Sequence, residues 1–311
     1  MTDTDHHGRV RAALVVVQLL FGVNYLVSKL VVGVLDPAAW ASLRSLTALV
    51  ILGGLAFAGR RRLPRGRDFW YLGGCAMLGV VANQILFLEG LSRTTPAHSS
   101  LICSQIPVFT LLAAVALRRE RLTRLKTAAL ASGLVGVMVL LEVDRLSLDA
   151  RYLAGDLLTL GNALAYGFFI ALSGRVMVRH DPLGATTVIF LFGAVGIAFY
   201  GFDDLLAAPL AVLGAADLAR MAYVVLGATV GTYFLNLYAL KHTQASRVAL
   251  FVFLQPVVAT TLSVLLLGEP FTWRLGVAGA LVGTSLLLRE RAPSHAAQSR
   301  ARLRSSGHNP T

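Results

Sequence analysis

GLSRTTPAHSSLICSQIPVFTLLAAVALRRERL (residues 90–122) and ALKHTQASRVALFVFLQPVVATTLSVLLLGEPF (residues 239–271) read as two versions of one stretch. At an offset of 149 residues, Leu91, Thr94, Leu101, Pro107, Val108, Val115, Leu117 and Glu120 align with Leu240, Thr243, Leu250, Pro256, Val257, Val264, Leu266 and Glu269. An apolar background produces matches readily. The register of the proline and of the glutamate 13 residues later is what marks a duplication. A second alignment extends it. Phe21, Gly22, Ser28 and Asp36–Pro37 match Tyr166, Gly167, Ser173 and Asp181–Pro182 at an offset of 145, a four-residue gap between the second and third helices reconciling the two registers.

Composition fixes the environment of these halves. The 311 residues are 56% hydrophobic and 14% charged, whereas a soluble domain carries about 25% charged residues. Spanning helices need roughly 20 apolar residues each, and the chain divides into ten such runs: 12–32, 38–58, 69–90, 96–117, 125–142, 153–174, 184–203, 219–239, 246–267 and 274–289. The expected fold class is therefore all-α membrane protein. Residues 1–11 read as a polar tail, 12–142 as the first repeat, 153–289 as the second, and 290–311, rich in Arg, Ser and Ala, as a disordered tail. The first apolar run carries Asn24 and Lys29 and exceeds a usual signal core, so it reads as a retained helix in spite of the small-residue stretch Ala39–Trp40–Ala41.

The net charge of +12 does not point to nucleic acid, because the basic residues sit in the loops between apolar runs. With the N-terminus in the cytoplasm, the segments 1–11, 59–68, 118–126, 175–183, 240–247 and 289–311 hold 21 of the 28 Lys and Arg residues, and the opposite loops hold five. That bias predicts both termini inside. Five helices per half is an odd number, so the second half enters the bilayer from the other side. This gives an inverted repeat about an axis in the membrane plane, the arrangement of many secondary transporters.

Polar side chains in spans face a bundle interior or a cavity rather than lipid. Asn24, Asn83, Gln84, Gln105, Asn162, Asn236 and Gln255, with Tyr166 and Tyr233, are the candidates for a substrate path; the alternative for each is an interhelical hydrogen bond worth about 0.6 kcal/mol. They fall on the first, third, fourth, sixth, eighth and ninth runs. Pro107 and Pro256 are candidate hinges, each removing a helical hydrogen bond, with a plain packing bend as the equal alternative. Glu120 and Glu269 are expected at the water boundary, paired with an arginine or capping the next helix, with proton coupling as the lesser alternative. Arg44, two turns into the second run, either snorkels or faces the bundle; Lys29 snorkels. Glu89 and His98 belong to the outer rim, and Asp156 suits an N-cap. Small residues on the fifth run (Ala129, Ser132, Gly133, Gly136) and the tenth (Gly276, Gly279, Gly283) suit packing or a homodimer face. Cys75 and Cys103 lie in apolar runs and form neither a disulfide framework nor a zinc-ligand spacing. No metal site, cofactor or catalytic residue is expected.

Several of these residues together resemble a known family. Asn83 with Leu86 and Phe87, then Pro107 and Phe109, the Glu120–Leu122–Thr123 step, LGEPFTW at 267–273, and Asp36–Pro37 followed by Arg44 are similar to EamA-type members of the drug/metabolite transporter superfamily. The resemblance implies ten helices in two inverted five-helix repeats spanning the plasma membrane, both termini on the cytoplasmic side, and a central pathway lined by helices 1, 3, 4, 6, 8 and 9. It implies a small-molecule substrate such as an amino acid, another metabolite or a drug. Glu89, where a small residue is usual, and Arg119 depart from the pattern. Two other classes compete. An integral-membrane enzyme would need a catalytic cluster, and no HExxH, GxSxG or aspartate cluster is present. A non-transporting scaffold or receptor would not need the polar set.

Overall fold

The computed structural model describes residues 3–140, 150–267 and 273–291. Gly268, Glu269 and Pro270, and the C-terminal stretch from 292, lie outside them. Among the described residues every regular element is helical. Seven helical stretches are long and apolar enough to cross a membrane, and Ala245–Thr261 and Trp273–Leu288 are shorter apolar helices. This is a multi-pass arrangement. Its outward faces carry large apolar side chains such as Phe57, 88% exposed, and Phe199, 89% exposed, which lipid rather than water suits.

α1 (Asp3–Val31) begins within the polar N-terminal stretch. α2 (Pro37–Ala58) and α9 (Pro182–Ala207) start alike: Asp36 accepts from Ala38 N, Asp181 accepts from Leu183 N and Gly184 N, and a proline with no N–H to lose opens each helix. The stretch Arg67–Arg93 is α3 (Arg67–Ala76), a π segment (Met77–Ala82) and α4 (Asn83–Arg93). It has a counterpart in α10 (Ala215–Val225), a π segment (Leu226–Gly231) and α11 (Thr232–His242). The two π segments and the helices after them lie 149 residues apart, the offset of the sequence repeat. The helix pair α5 (Pro96–Cys103) and α6 (Ile106–Ala116) breaks at Ser104–Gln105; its counterpart, α12 (Ala245–Leu250) and α13 (Leu254–Leu267), is joined by a 3₁₀ turn at Phe251–Phe253. Pro107 therefore sits in the first turn of a new helix, where it forfeits little, and not in the middle of a continuous helix as the sequence suggests. α7 (Arg124–Leu140), α8 (Ala150–Met177) and α14 (Trp273–Arg291) complete the set.

Packing is reciprocal. α1 lies on α11 and α13, and α8 lies on α4 and α6; α2 packs on α9 and α7 on α14. Close approaches repeat the same exchange. A Cβ on Gly22 of α1 would meet Val258 of α13 at 2.9 Å, and one on Gly167 of α8 would meet Phe109 of α6 at 2.8 Å. On α7, Gly133 and Gly136 abut Phe253 and Leu281, whereas Gly276, Gly279 and Gly283 of α14 face open space.

The loops sort to two ends of the bundle. At one end Arg61 meets Asp181 (3.4 Å), Asp68 meets Arg179 (3.0 Å) and His180 (2.7 Å), and Lys241 donates to the His180 carbonyl (3.1 Å). Glu120 belongs to this end, but it is 5% exposed and not at a water boundary. Arg118 takes a left-handed φ of 56°, and the chain turns back after α6. Glu120 then accepts from Lys126 Nζ (2.5 Å), Ser246 Oγ (2.5 Å) and Ser246 N (3.0 Å), tying the α6–α7 turn to the start of α12. Its partners thus include a lysine six residues on and a serine 126 residues away. At the other end Lys29 Nζ donates to the carbonyls of Leu91, Ser92 and Thr94. Asp156 does not cap α8, which begins six residues earlier; it accepts from Thr94 Oγ1 (2.6 Å) and pairs with His98 Nδ1 (3.0 Å). Glu89 pairs with Arg93 (2.7 Å) and accepts from Tyr200 OH (2.6 Å).

Candidate functional site

A cavity of about 50 Å³ lies midway along the bundle. α1 contributes Phe21, Asn24 and Tyr25, and α4 contributes Asn83, Gln84 and Phe87. The break between α5 and α6 presents Cys103 and Ile106, α8 presents Asn162 and Tyr166, α11 Tyr233, α13 Gln255 and α2 Arg44. Seven of the nine expected path residues line this one space. Asn236 stands behind it, donating from Nδ2 to Tyr166 OH (2.9 Å). Gln105 is outside the lining and caps α6 by position, its carbonyl accepting from Phe109 N.

The local breaks explain why these groups converge. A π segment inserts an extra residue per turn and re-aims the helix that follows. Tyr233 OH donates to the Gly79 carbonyl inside the first π segment and contacts Asn83 Oδ1 at 3.1 Å. Gly79 has no Cβ because the Phe169 ring occupies that space. Asn162 Nδ2 donates to the Asn83 carbonyl (2.8 Å), and Cys103 Sγ lies 3.5 Å from Asn162 Oδ1. Asn24 holds Ser28 Oγ on its own helix (2.9 Å). Across the cavity Tyr25 OH donates to Gln255 Oε1 (2.8 Å), and Gln255 Nε2 donates to Gln18 Oε1 (2.7 Å). Aromatic rings close one flank: Tyr233 contacts Phe190 at 4.9 Å between centroids and Phe169 at 6.1 Å, and Tyr166 joins them.

Arg44 is buried, 4% exposed, and faces the bundle rather than snorkelling. Its Nε donates to Thr229 Oγ1 (2.5 Å) in the second π segment, and Nη2 reaches the Ala228 carbonyl at 3.5 Å. Gln84 accepts from Ser45 Oγ (3.1 Å), which leaves its Nε2 buried without a hydrogen-bond partner. Gln18, Tyr25 and Thr229 were not among the expected residues. Gln18 was legible by the reasoning applied to the other amides; Thr229 was not, since a threonine in an apolar run ordinarily bonds its own helix. The described residues contain no group of three His, Cys, Asp or Glu side chains able to hold a metal.

A solved crystal structure superposes on this chain with a TM-score of 0.73, over 90% of this chain and 96% of its own, at 18% identity, a likeness of fold alone. An uncharacterized transporter of Archaeoglobus fulgidus is 25% identical over 277 residues, covering 87% of this chain and 95% of its own. A probable amino-acid metabolite efflux pump of Salmonella typhimurium is 27% identical over 284 residues, covering 87% and 90% respectively. The EamA-like transporter family matches twice, over residues 11–142 and 153–289. With both halves matched, the chain belongs to the EamA-like transporter family.

Proposed function

We propose that this protein is a secondary transporter that exports small metabolites, amino acids among them, across the plasma membrane by alternating access. The observation that carries the reading is the polar cavity at mid-bundle, built from facing helices of both halves and bordered by a break in each. Its volume, about 50 Å³, admits only a few water-sized groups, against roughly 300–1,000 Å³ for small-molecule sites. Passage of a solute therefore requires the halves to separate on one side and then on the other. The breaks preceding Pro107 and Pro256 are the hinges of that motion.

Ten spans in two inverted five-helix repeats, 12–142 and 153–289, account for the reciprocal packing of α1 and α8 and for the repetition of the π segment at the offset of the sequence repeat. The end where Arg61, Asp181, His180 and Lys241 meet gathers four segments of the basic set and faces the cytoplasm, with both termini on that side. Asn24, Asn83, Gln84, Asn162, Tyr166, Tyr233 and Gln255 form the substrate path, Asn236 acting through Tyr166 and Gln105 bordering it at the α5–α6 break. The open glycine face of α14 is the surface for a homodimer. The relative named as a probable amino-acid metabolite efflux pump supports the substrate class and the direction. The test is counterflow in proteoliposomes loaded with a mixture of amino acids and organic acids. Saturable efflux above that of empty liposomes is expected; flux equal to empty liposomes for every solute would overturn the reading.

A further inference from the structure

We propose that Arg44 is the binding point for a carboxylate on the transported solute, with Gln84 Nε2 as a second donor beside it. This rests on the transport reading and narrows it to carboxylate-bearing solutes.

A guanidinium carries five N–H donors and no acceptor. Arg44 uses Nε on Thr229 and one further N–H at the 3.5 Å limit of a hydrogen bond, so most of its donors have no protein acceptor. Among the described residues no carboxylate pairs with it. The other cations drawn into the bundle are treated differently. Lys29 saturates its three donors on carbonyls at 2.6, 3.2 and 2.9 Å. Arg119 Nη1 donates to the Ala171 and Leu172 carbonyls at 2.5 and 3.1 Å. Lys126 pairs with Glu120. A buried cation without a counter-ion is costly in a membrane interior, and a planar guanidinium matches a carboxylate with two parallel hydrogen bonds.

The setting adds direction. Arg44 and Gln84 both line the mid-bundle cavity, 4% and 1% exposed respectively. Gln84 is turned by Ser45 so that its acceptor is engaged, while its Nε2 lies toward Tyr233 OH without meeting hydrogen-bond geometry. Two unfilled donor groups in one cavity call for an acceptor-rich anion. Phe21, Phe87 and Ile106 line the same cavity, so an apolar group attached to the carboxylate has apolar side chains to meet. At the repeat-related position of α9 stands Ile189, wholly buried; the site is single and does not depend on symmetry.

The experiment compares acids with their own amides on the purified full chain: acetate with acetamide, L-leucine with L-leucinamide, and phenylacetate with phenylacetamide, read by thermal shift and isothermal titration. At least one acid should bind at least tenfold more tightly than its amide. Arg44→Gln, checked for monodisperse elution and unchanged helical circular dichroism, should lose that preference, and Arg44→Lys should keep part of it. The acid–amide contrast on the unaltered protein needs no variant, so a misfolded Arg44→Gln does not stall the test. Equal binding of acids and amides, unchanged acid binding by folded Arg44→Gln, or no acid binding at all would overturn the assignment. Flux of neutral solutes without acid binding would remove this site and leave transport; acid binding without any flux would do the reverse.

Discussion

Asn83–Arg93 and Thr232–His242 are helices of 11 residues, each preceded by a π segment of six and followed by a threonine in extended conformation. Their backbones match turn for turn, and their side chains do not. Where α4 offers Asn83 and Gln84, α11 offers Thr232 and Tyr233; where α6 offers Ile106, α13 offers Gln255; where α2 offers Arg44, α9 offers Ile189. The backbone irregularities thus belong to the duplicated architecture, while the cavity's chemistry has been distributed unequally over it.

Exchanging residues between the halves should show this inequality. The largest effect is expected from Ile189→Arg. Position 189 is fully buried, and Val80 stands where Thr229 would have to be, so the new charge lacks even the one good acceptor that Arg44 has. The cost is about 2.5–3.5 kcal/mol, read as loss of monodisperse protein after detergent extraction; normal yield would mean that the second half tolerates what only the first half provides.

Gly79→Ala comes next. Its counterpart, Ala228, already carries a Cβ, but at Gly79 that atom runs into the Phe169 ring. Overpacking of this kind costs about 1–3 kcal/mol, seen as a lower thermal midpoint, and Phe169→Ala in the same chain should recover part of it. Gln255→Leu should reduce transport about tenfold while leaving membrane insertion intact, because Tyr25 OH and Gln18 each lose a partner; Ile106→Leu at the matching place should be close to neutral.

The smallest effect is a dependence on pH, at Glu120. Burial pushes its carboxyl up, and the hydrogen bonds from Lys126 and Ser246 pull it down further, so its folded value lies below the ordinary one. The stability it contributes is therefore present above the unfolded carboxylate value, about 4.3, and is lost as pH falls through the lower folded value. The midpoint difference between the parent and Glu120→Gln should be constant from pH 8 to about 5 and shrink only in stronger acid. A difference that already disappears near pH 6 would point instead to a carboxyl held protonated.

How far the sequence revealed this molecule depends on how far apart the partners are. The Asp36–Pro37 and Asp181–Pro182 helix starts, the repeat register and the polar residues of the cavity could be read because each is a local pattern or a repeated one. The π segments could not: neither MLGVVA nor LGATVG contains a proline, and the extra residue is accommodated by Phe169 against Gly79 and by Arg44 against Thr229, contacts between distant helices. The burial of Glu120 was hidden for the same reason, its serine partner lying on α12. Asp156 looked like a cap because Gly155 precedes it; that glycine instead lets α8 approach the Arg93–Thr94 backbone, where Thr94 donates to Asp156.

The most direct test of two like halves set upside down around one cavity is sidedness. In a chain with Cys75 and Cys103 replaced by alanine, Arg62→Cys and His242→Cys would be labelled with a membrane-impermeant maleimide in intact cells and in inverted vesicles. The account predicts that both react only in inverted vesicles, although they lie in different halves. Reaction of the two from opposite faces of the bilayer would contradict it.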